Sequence, residues 1–146
     1  MPPLSKNQPT ILEPGTFSPH TYTGGCHCGR VKFSCTAPPP DALLVRSCNC
    51  SFCTKRGALQ IFLKPESLEW TTGGWDALTA YRWNSGAAGH SFCPVCGIHV
   101  GTSVFGVFAI NVRCIDDLPV DIHDLKEEYF DGKNEVPLKT AAGGGC

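Results

Sequence analysis

The chain has 146 residues, 42% of them apolar, and a formal net charge of −1. That length fits one compact domain, and the balanced charge lacks the basic footprint of a nucleic-acid binder. No apolar run approaches the roughly 18 residues of a membrane span, and Met1-Pro2-Pro3-Leu4-Ser5-Lys6 offers no apolar stretch to act as a secretion signal, so a cytoplasmic protein without a membrane or nucleic-acid partner is expected.

Residues 1–20 carry Pro2, Pro3, Pro9, Pro14 and Pro19 without periodicity, and read as an extended or disordered arm. The domain proper is assigned to residues 21–131, its apolar patterning starting at Tyr22. Val31–Cys35 alternates like a strand until Pro38-Pro39-Pro40 breaks it. Leu43–Ser47, Ala58–Leu63 and Ser67–Thr71 are further strand-like runs, and Gly73-Gly74 marks a turn before Leu78–Trp83. Ser91–Cys96 enters another turn, followed by strand-like Ile98–Val104 and Val107–Cys114. Short helices are predicted at Cys50–Arg56 and Ile122–Tyr129. Residues 132–146 form a tail that ends at Cys146, a free thiol. Strands do not alternate with long helices, so the expected body is mainly β, built of antiparallel sheets rather than a parallel one.

Ten cysteines need a cause. In a reducing compartment, closely spaced thiols bind metal more often than they form disulfides. Three groups stand out: Cys26-His27-Cys28, Cys48-Asn49-Cys50-Ser51-Phe52-Cys53, and Cys93-Pro94-Val95-Cys96. Zinc takes about four thiolate or imidazole ligands in a tetrahedron, so the simplest closed site joins Cys26, Cys28, Cys93 and Cys96. Gly97 supplies the unusual backbone angles such a turn needs. Cys48, Cys50 and Cys53 are then a tridentate group, the ligand count of a catalytic zinc with an open fourth position. Two zinc ions per chain are expected. A fourth protein ligand from His90, Cys35 or Cys114 would close the second site, although Cys35 and Cys114 read first as core residues. Lys55 and Arg56 follow the tridentate group and could moderate its charge. His27 and His99 neighbour ligands without being expected to ligate. Trp70, Trp75, Tyr81, Trp83 and Phe92 are core or cleft wall, Phe52 is core or a shield beside the open position, and Asp116-Asp117 is a surface turn or a nearby carboxylate. Arg46, Lys64, Arg82 and Arg113 read as solvated.

The ordered segments Gly25-Cys26-His27-Cys28-Gly29-Arg30-Val31, Cys48-Asn49-Cys50-Ser51-Phe52-Cys53-Thr54-Lys55 and Phe92-Cys93-Pro94-Val95-Cys96-Gly97 resemble the glutathione-dependent formaldehyde-activating enzyme family, which includes CENP-V-like proteins. The resemblance runs from about Tyr22 to Tyr129, taking in Asn111-Val112-Arg113 and Ile115-Asp116-Asp117. It implies a mainly β, Mss4-like fold pinned by zinc, a structural zinc at Cys26, Cys28, Cys93 and Cys96, and a catalytic zinc at Cys48, Cys50 and Cys53. The chain departs from the family at Asn49, where many members have histidine, and at Ile98, where many have threonine. The implied activity is a carbon–sulfur lyase acting on a glutathione–aldehyde adduct; the alternatives are a divergent zinc lyase with another small substrate and a non-catalytic zinc interaction module. For glutathione, whose two carboxylates need cationic partners, Lys55, Arg56 and Arg113 are the nominated residues.

Overall fold

The computed structural model describes residues 9–134; residues 1–8 of the arm and 135–146 of the tail, including Cys146, lie outside the described residues. In chain order the elements are β1 (Ile11–Leu12), β2 (His20–Gly25), β3 (Lys32–Ala37), β4 (Leu44–Cys48), α1 (Ser51–Arg56), β5 (Gln60–Leu63), β6 (Leu68–Thr72), β7 (Thr79–Tyr81), β8 (Gly89–Phe92), β9 (His99–Val104), β10 (Val107–Asn111) and β11 (Lys126–Phe130). Eight strands form one sheet in the order β11-β4-β5-β10-β9-β8-β7, with β1 beside β5, and β2-β3-β6 form a second. The fold is mainly β, with one short α-helix among the described residues.

Side-chain alternation, of period two along a strand, gives each sheet an apolar face. On the small sheet Phe33, Cys35 and Ala37 are buried while the residues between them are not. On the large sheet Ile61 pairs with Ile110 and Leu63 with Phe108, and Val45, Ile61, Leu63 and Ile110 join Tyr22 and Phe33 in one core. Trp75 seals that core, its ring 5.1 Å from Trp70 and 5.0 Å from Phe108. The opposite face of the large sheet carries a cluster of buried polar side chains. Register places Arg46 beside Gln60, Gln60 beside Asn111, Thr102 beside His90 and His90 beside Tyr81. Helix α1 covers this cluster.

The helix predicted over Ile122–Tyr129 is not formed. Residues Ile122–Asp124 make one 3-10 turn capped by Asp121, and Lys126–Phe130 is a strand hydrogen-bonded in parallel to Leu44–Cys48. The spacing of Ile122, Leu125 and Tyr129 imitates a helix, but an open strand edge at β4 offers five residues a complete ladder, and Phe130 becomes buried there. The charged run Lys126-Glu127-Glu128 suits an outermost strand, because it discourages further pairing. A second parallel pair, β1 with β5, makes the large sheet mixed rather than purely antiparallel. Both parallel pairs lie away from the hairpins that build the sheet's centre, where neighbours in sequence are neighbours in space.

Candidate metal centres

None of the nine described cysteines forms a disulfide. Seven gather into two groups whose sulfurs lie within 4.8 Å of one another: Cys26, Cys28, Cys93 and Cys96, and separately Cys48, Cys50 and Cys53. Each could hold a metal ion. The remaining two, Cys35 and Cys114, belong to the core, where burial pushes both thiols up to about 12.

The tetrad is made by two reversals of the chain. At the first, the Val31 amide donates to Cys26 Sγ at 3.4 Å, and the Cys26 amide donates to the Val31 carbonyl. At the second, the Gly97 amide donates to the Cys93 carbonyl at 2.8 Å, with Gly97 at φ 77° as the turn requires. Cys26 and Cys28 sulfurs stand 3.7 Å apart, and Cys28 and Cys93 sulfurs 3.6 Å apart. A tetrahedron with metal–sulfur bonds of about 2.3 Å has edges of about 3.8 Å, so the spacing fits zinc. The protons on these sulfurs are unevenly held. Burial pushes the Cys96 thiol up, but the Ile98 and Cys28 amides and the neighbouring thiols outweigh it and hold it at about 6. Four thiols this close suit a cation better than they suit each other.

The second group is local. Cys48 ends β4, and Cys50 is the N-cap of α1, its sulfur accepting from the Cys53 amide at 3.3 Å. The Cys50 amide donates to Cys48 Sγ at 3.4 Å. Gly57, left-handed at φ 63°, ends the helix one residue past Arg56. His90, Cys35 and Cys114, the three residues considered as a fourth ligand, are not members of this group. Thiolates fit zinc or another soft divalent ion, and three of them leave a coordination position that no other described cysteine fills.

Arg56 organises the surroundings. One turn beyond Cys53 on α1, its Nη2 donates to Cys53 Sγ at 3.3 Å and to Gln60 Oε1 at 2.9 Å. Its Nη1 reaches His90 Nδ1 at 3.1 Å and His99 Nε2 at 3.0 Å. Because a guanidinium only donates, both ring nitrogens accept, and each neutral imidazole carries its proton on the other nitrogen. Burial, then Arg56, hold His99 down at about 3. Thr102 Oγ1 sits 3.1 Å from His90 Nδ1 and accepts from Gln60 Nε2, closing the network. Phe52 packs between Arg56, His90, Tyr81 and Trp83, with ring separations of 4.6 Å to His90 and 5.4 Å to Tyr81.

Of the other nominated groups, Lys55 is exposed. Arg113 is exposed too, its Nε donating to the Gly57 carbonyl at the end of α1. Asp117 accepts from the amide and hydroxyl of Thr23, so that carboxylate secures β2. Sequence patterning missed Gln60, Thr102 and Gly132. The first two reach Arg56 and His90 through cross-strand register, which no local pattern reveals.

The chain leaving β11 crosses the second group. Asn49 donates to Asp131 Oδ1 at 2.7 Å, accepts from the Lys133 amide at 2.9 Å, and donates its own amide to the Phe130 carbonyl. Gly132 is pressed so closely that a Cβ there would lie 2.6 Å from Cys48 Sγ. Overpacking of this kind costs about 1–3 kcal/mol, and a metal-bound sulfur cannot move aside. Gly132→Ala should therefore lower metal affinity at the second group by about tenfold or more, measured by chelator competition, with the tetrad unaffected. Equal metal retention by variant and wild type would show that the crossing segment does not constrain Cys48.

A solved structure of a Rhodobacter sphaeroides protein, a structural genomics target, matches with a TM-score of 0.60 and 28% identity, covering 74% of this chain and 99% of that one. A sequence profile described as glutathione-dependent formaldehyde-activating enzyme matches residues 21–131. That span holds every cysteine of both groups, and the chain belongs to the glutathione-dependent formaldehyde-activating enzyme family.

Proposed function

We propose that this protein is a zinc-dependent carbon–sulfur lyase that forms or cleaves the adduct of a small thiol, glutathione in the first instance, with a small aldehyde. In this proposal residues 21–131 are the zinc domain between an N-terminal arm and a C-terminal tail, and the tetrad Cys26, Cys28, Cys93 and Cys96 holds a structural ion. Cys48, Cys50 and Cys53 hold the reactive ion. The observation that carries the assignment is the membership of the second group, three cysteines on one short segment with a cationic, hydrogen-bonding network beside them. Zinc bound there would supply a Lewis-acid position that lowers the pKa of a coordinated thiol.

The reaction in the adduct-forming direction releases the thiol proton, makes one bond from sulfur to the carbonyl carbon, and moves the π pair to oxygen, which takes up a proton. The reverse breaks the same carbon–sulfur bond. Arg56 holds Cys53 in place and fixes the tautomers of His90 and His99. Phe52, Trp83 and Tyr81 form an aromatic wall on that side of α1. Such a wall also accommodates a substrate with more apolar surface than formaldehyde, which favours a related thiol adduct if glutathione does not bind.

The test combines metal analysis with binding and turnover on one preparation. Two zinc ions per chain, glutathione binding at millimolar concentration or below by calorimetry, and accelerated exchange between free formaldehyde and its glutathione adduct by NMR are expected. No glutathione binding at millimolar concentration would remove glutathione as the substrate.

A further inference from the structure

Arg56 is a half-buried cation with no acidic partner among the described residues. Its four Nη hydrogens go to Cys53 Sγ, Gln60 Oε1, His90 Nδ1 and His99 Nε2, and its Nε–H is buried without a partner. A guanidinium withdrawn from water ordinarily takes a carboxylate. The amide of Gln60 is uncharged, and both imidazoles offer Arg56 a lone pair, so they too are neutral. Phe52, 4.7 Å from the guanidinium carbon, presents only a ring face. The one contact able to carry a negative charge is Cys53.

Three thiolates around a divalent ion sum to −1, and Arg56 brings that centre to neutrality. An anionic fourth ligand then returns the set to −1; with the guanidinium removed or cancelled it would reach −2 in a partly dehydrated place. We infer that Arg56 is the fixed counter-charge of the Cys48–Cys50–Cys53 centre and makes its open position select a soft anionic ligand over a neutral one. The inference rests on the proposed metal site but concerns its ligand preference rather than its reaction.

Cobalt(II)-loaded protein gives the readout, because each added ligand changes the visible ligand-field bands whether or not turnover occurs. The probes are thiocyanate and 2-mercaptoethanol as anionic ligands and imidazole as a neutral one. Two variants remove the charge differently: Arg56→Gln deletes it, and Gln60→Glu keeps the guanidinium, the side-chain size and the acceptor oxygen while cancelling the charge. Gln60→Glu thus answers the question even if Arg56→Gln does not fold. Each should weaken both anionic probes by about tenfold or more, the effect of an opposite charge at this range, and leave imidazole affinity within about twofold. Equal losses for anionic and neutral probes would mean a purely structural role, and unchanged anion affinity would mean no electrostatic role; either overturns the inference. Wild type that binds thiocyanate but not mercaptoethanol, with the variants losing thiocyanate, would sustain it while the lyase proposal fails. Wild type that binds and turns over a thiol, with variant affinities unchanged, would do the reverse.

Discussion

Cys93→Ser should yield a protein that is insoluble on expression or melts far below wild type. The Cys28–Cys93 sulfur contact spans 65 positions of sequence, and closing a loop of that length costs about 4 kcal/mol in chain entropy. Apparent binding energies for structural zinc of about 10–16 kcal/mol exceed that cost and rival the total stability of a domain, about 5–15 kcal/mol. Because the unfolded chain holds no preassembled tetrad, the binding energy of an ion held there would be folding energy. Cys93 is also fully buried, so an orphaned hydroxyl would add a desolvation penalty. Melting by circular dichroism, with zinc content measured on the same sample, checks this; a midpoint within a few degrees of wild type would show that the tetrad is not what holds the two turns together.

Cys50→Ser should do the opposite, abolishing turnover while the β body stays folded. The three ligands lie on one short segment, so little long-range closure depends on them. Serine is among the best N-caps, and its hydroxyl can replace Cys50 Sγ as acceptor for the Cys53 amide, preserving α1. What is lost is a soft ligand of the proposed reactive centre. Turnover should fall by about a thousandfold or more, in the range expected when an electrostatic element of an active site is removed, with a circular dichroism spectrum close to wild type and one zinc ion remaining. Full turnover with one zinc would move the reactive site elsewhere. Unfolding as severe as that of Cys93→Ser would make the second centre structural and favour a non-catalytic zinc module.

The cysteine groups were legible because their ligands are punctuated by spacing alone: Cys-x-Cys, Cys-x-Cys-x-x-Cys and Cys-x-x-Cys are local statements. Helix α1 was legible for a related reason, since its cap, its six residues and its terminating Gly57 are contiguous. The Lys126–Phe130 strand was not, because its partner is β4 and nothing near Leu125 announces that pairing. The Arg56 network was half visible. Arg56 falls one helical turn from Cys53, but His90, His99, Gln60 and Thr102 are strand residues whose meeting depends on the register of β5, β8, β9 and β10. Asn49, noted as a departure from the family, takes its meaning from a clasp 82 positions away.

That clasp bears on the order in which the molecule is assembled. During synthesis the three sulfurs of the second group emerge together, whereas the tetrad must wait for Cys96; at about 5–20 residues per second the delay is on the order of several seconds. An ion captured early by Cys48, Cys50 and Cys53 would have neither His90 and His99 around Arg56 nor Gly132 against Cys48. It would remain exchangeable with the cellular metal pool until Phe130 docks beside Cys48 and Asn49 ties down the chain that follows. On the proposed assignment, the ion that contributes least to the fold would thus be the first to bind, and the segment that surrounds it the last to close.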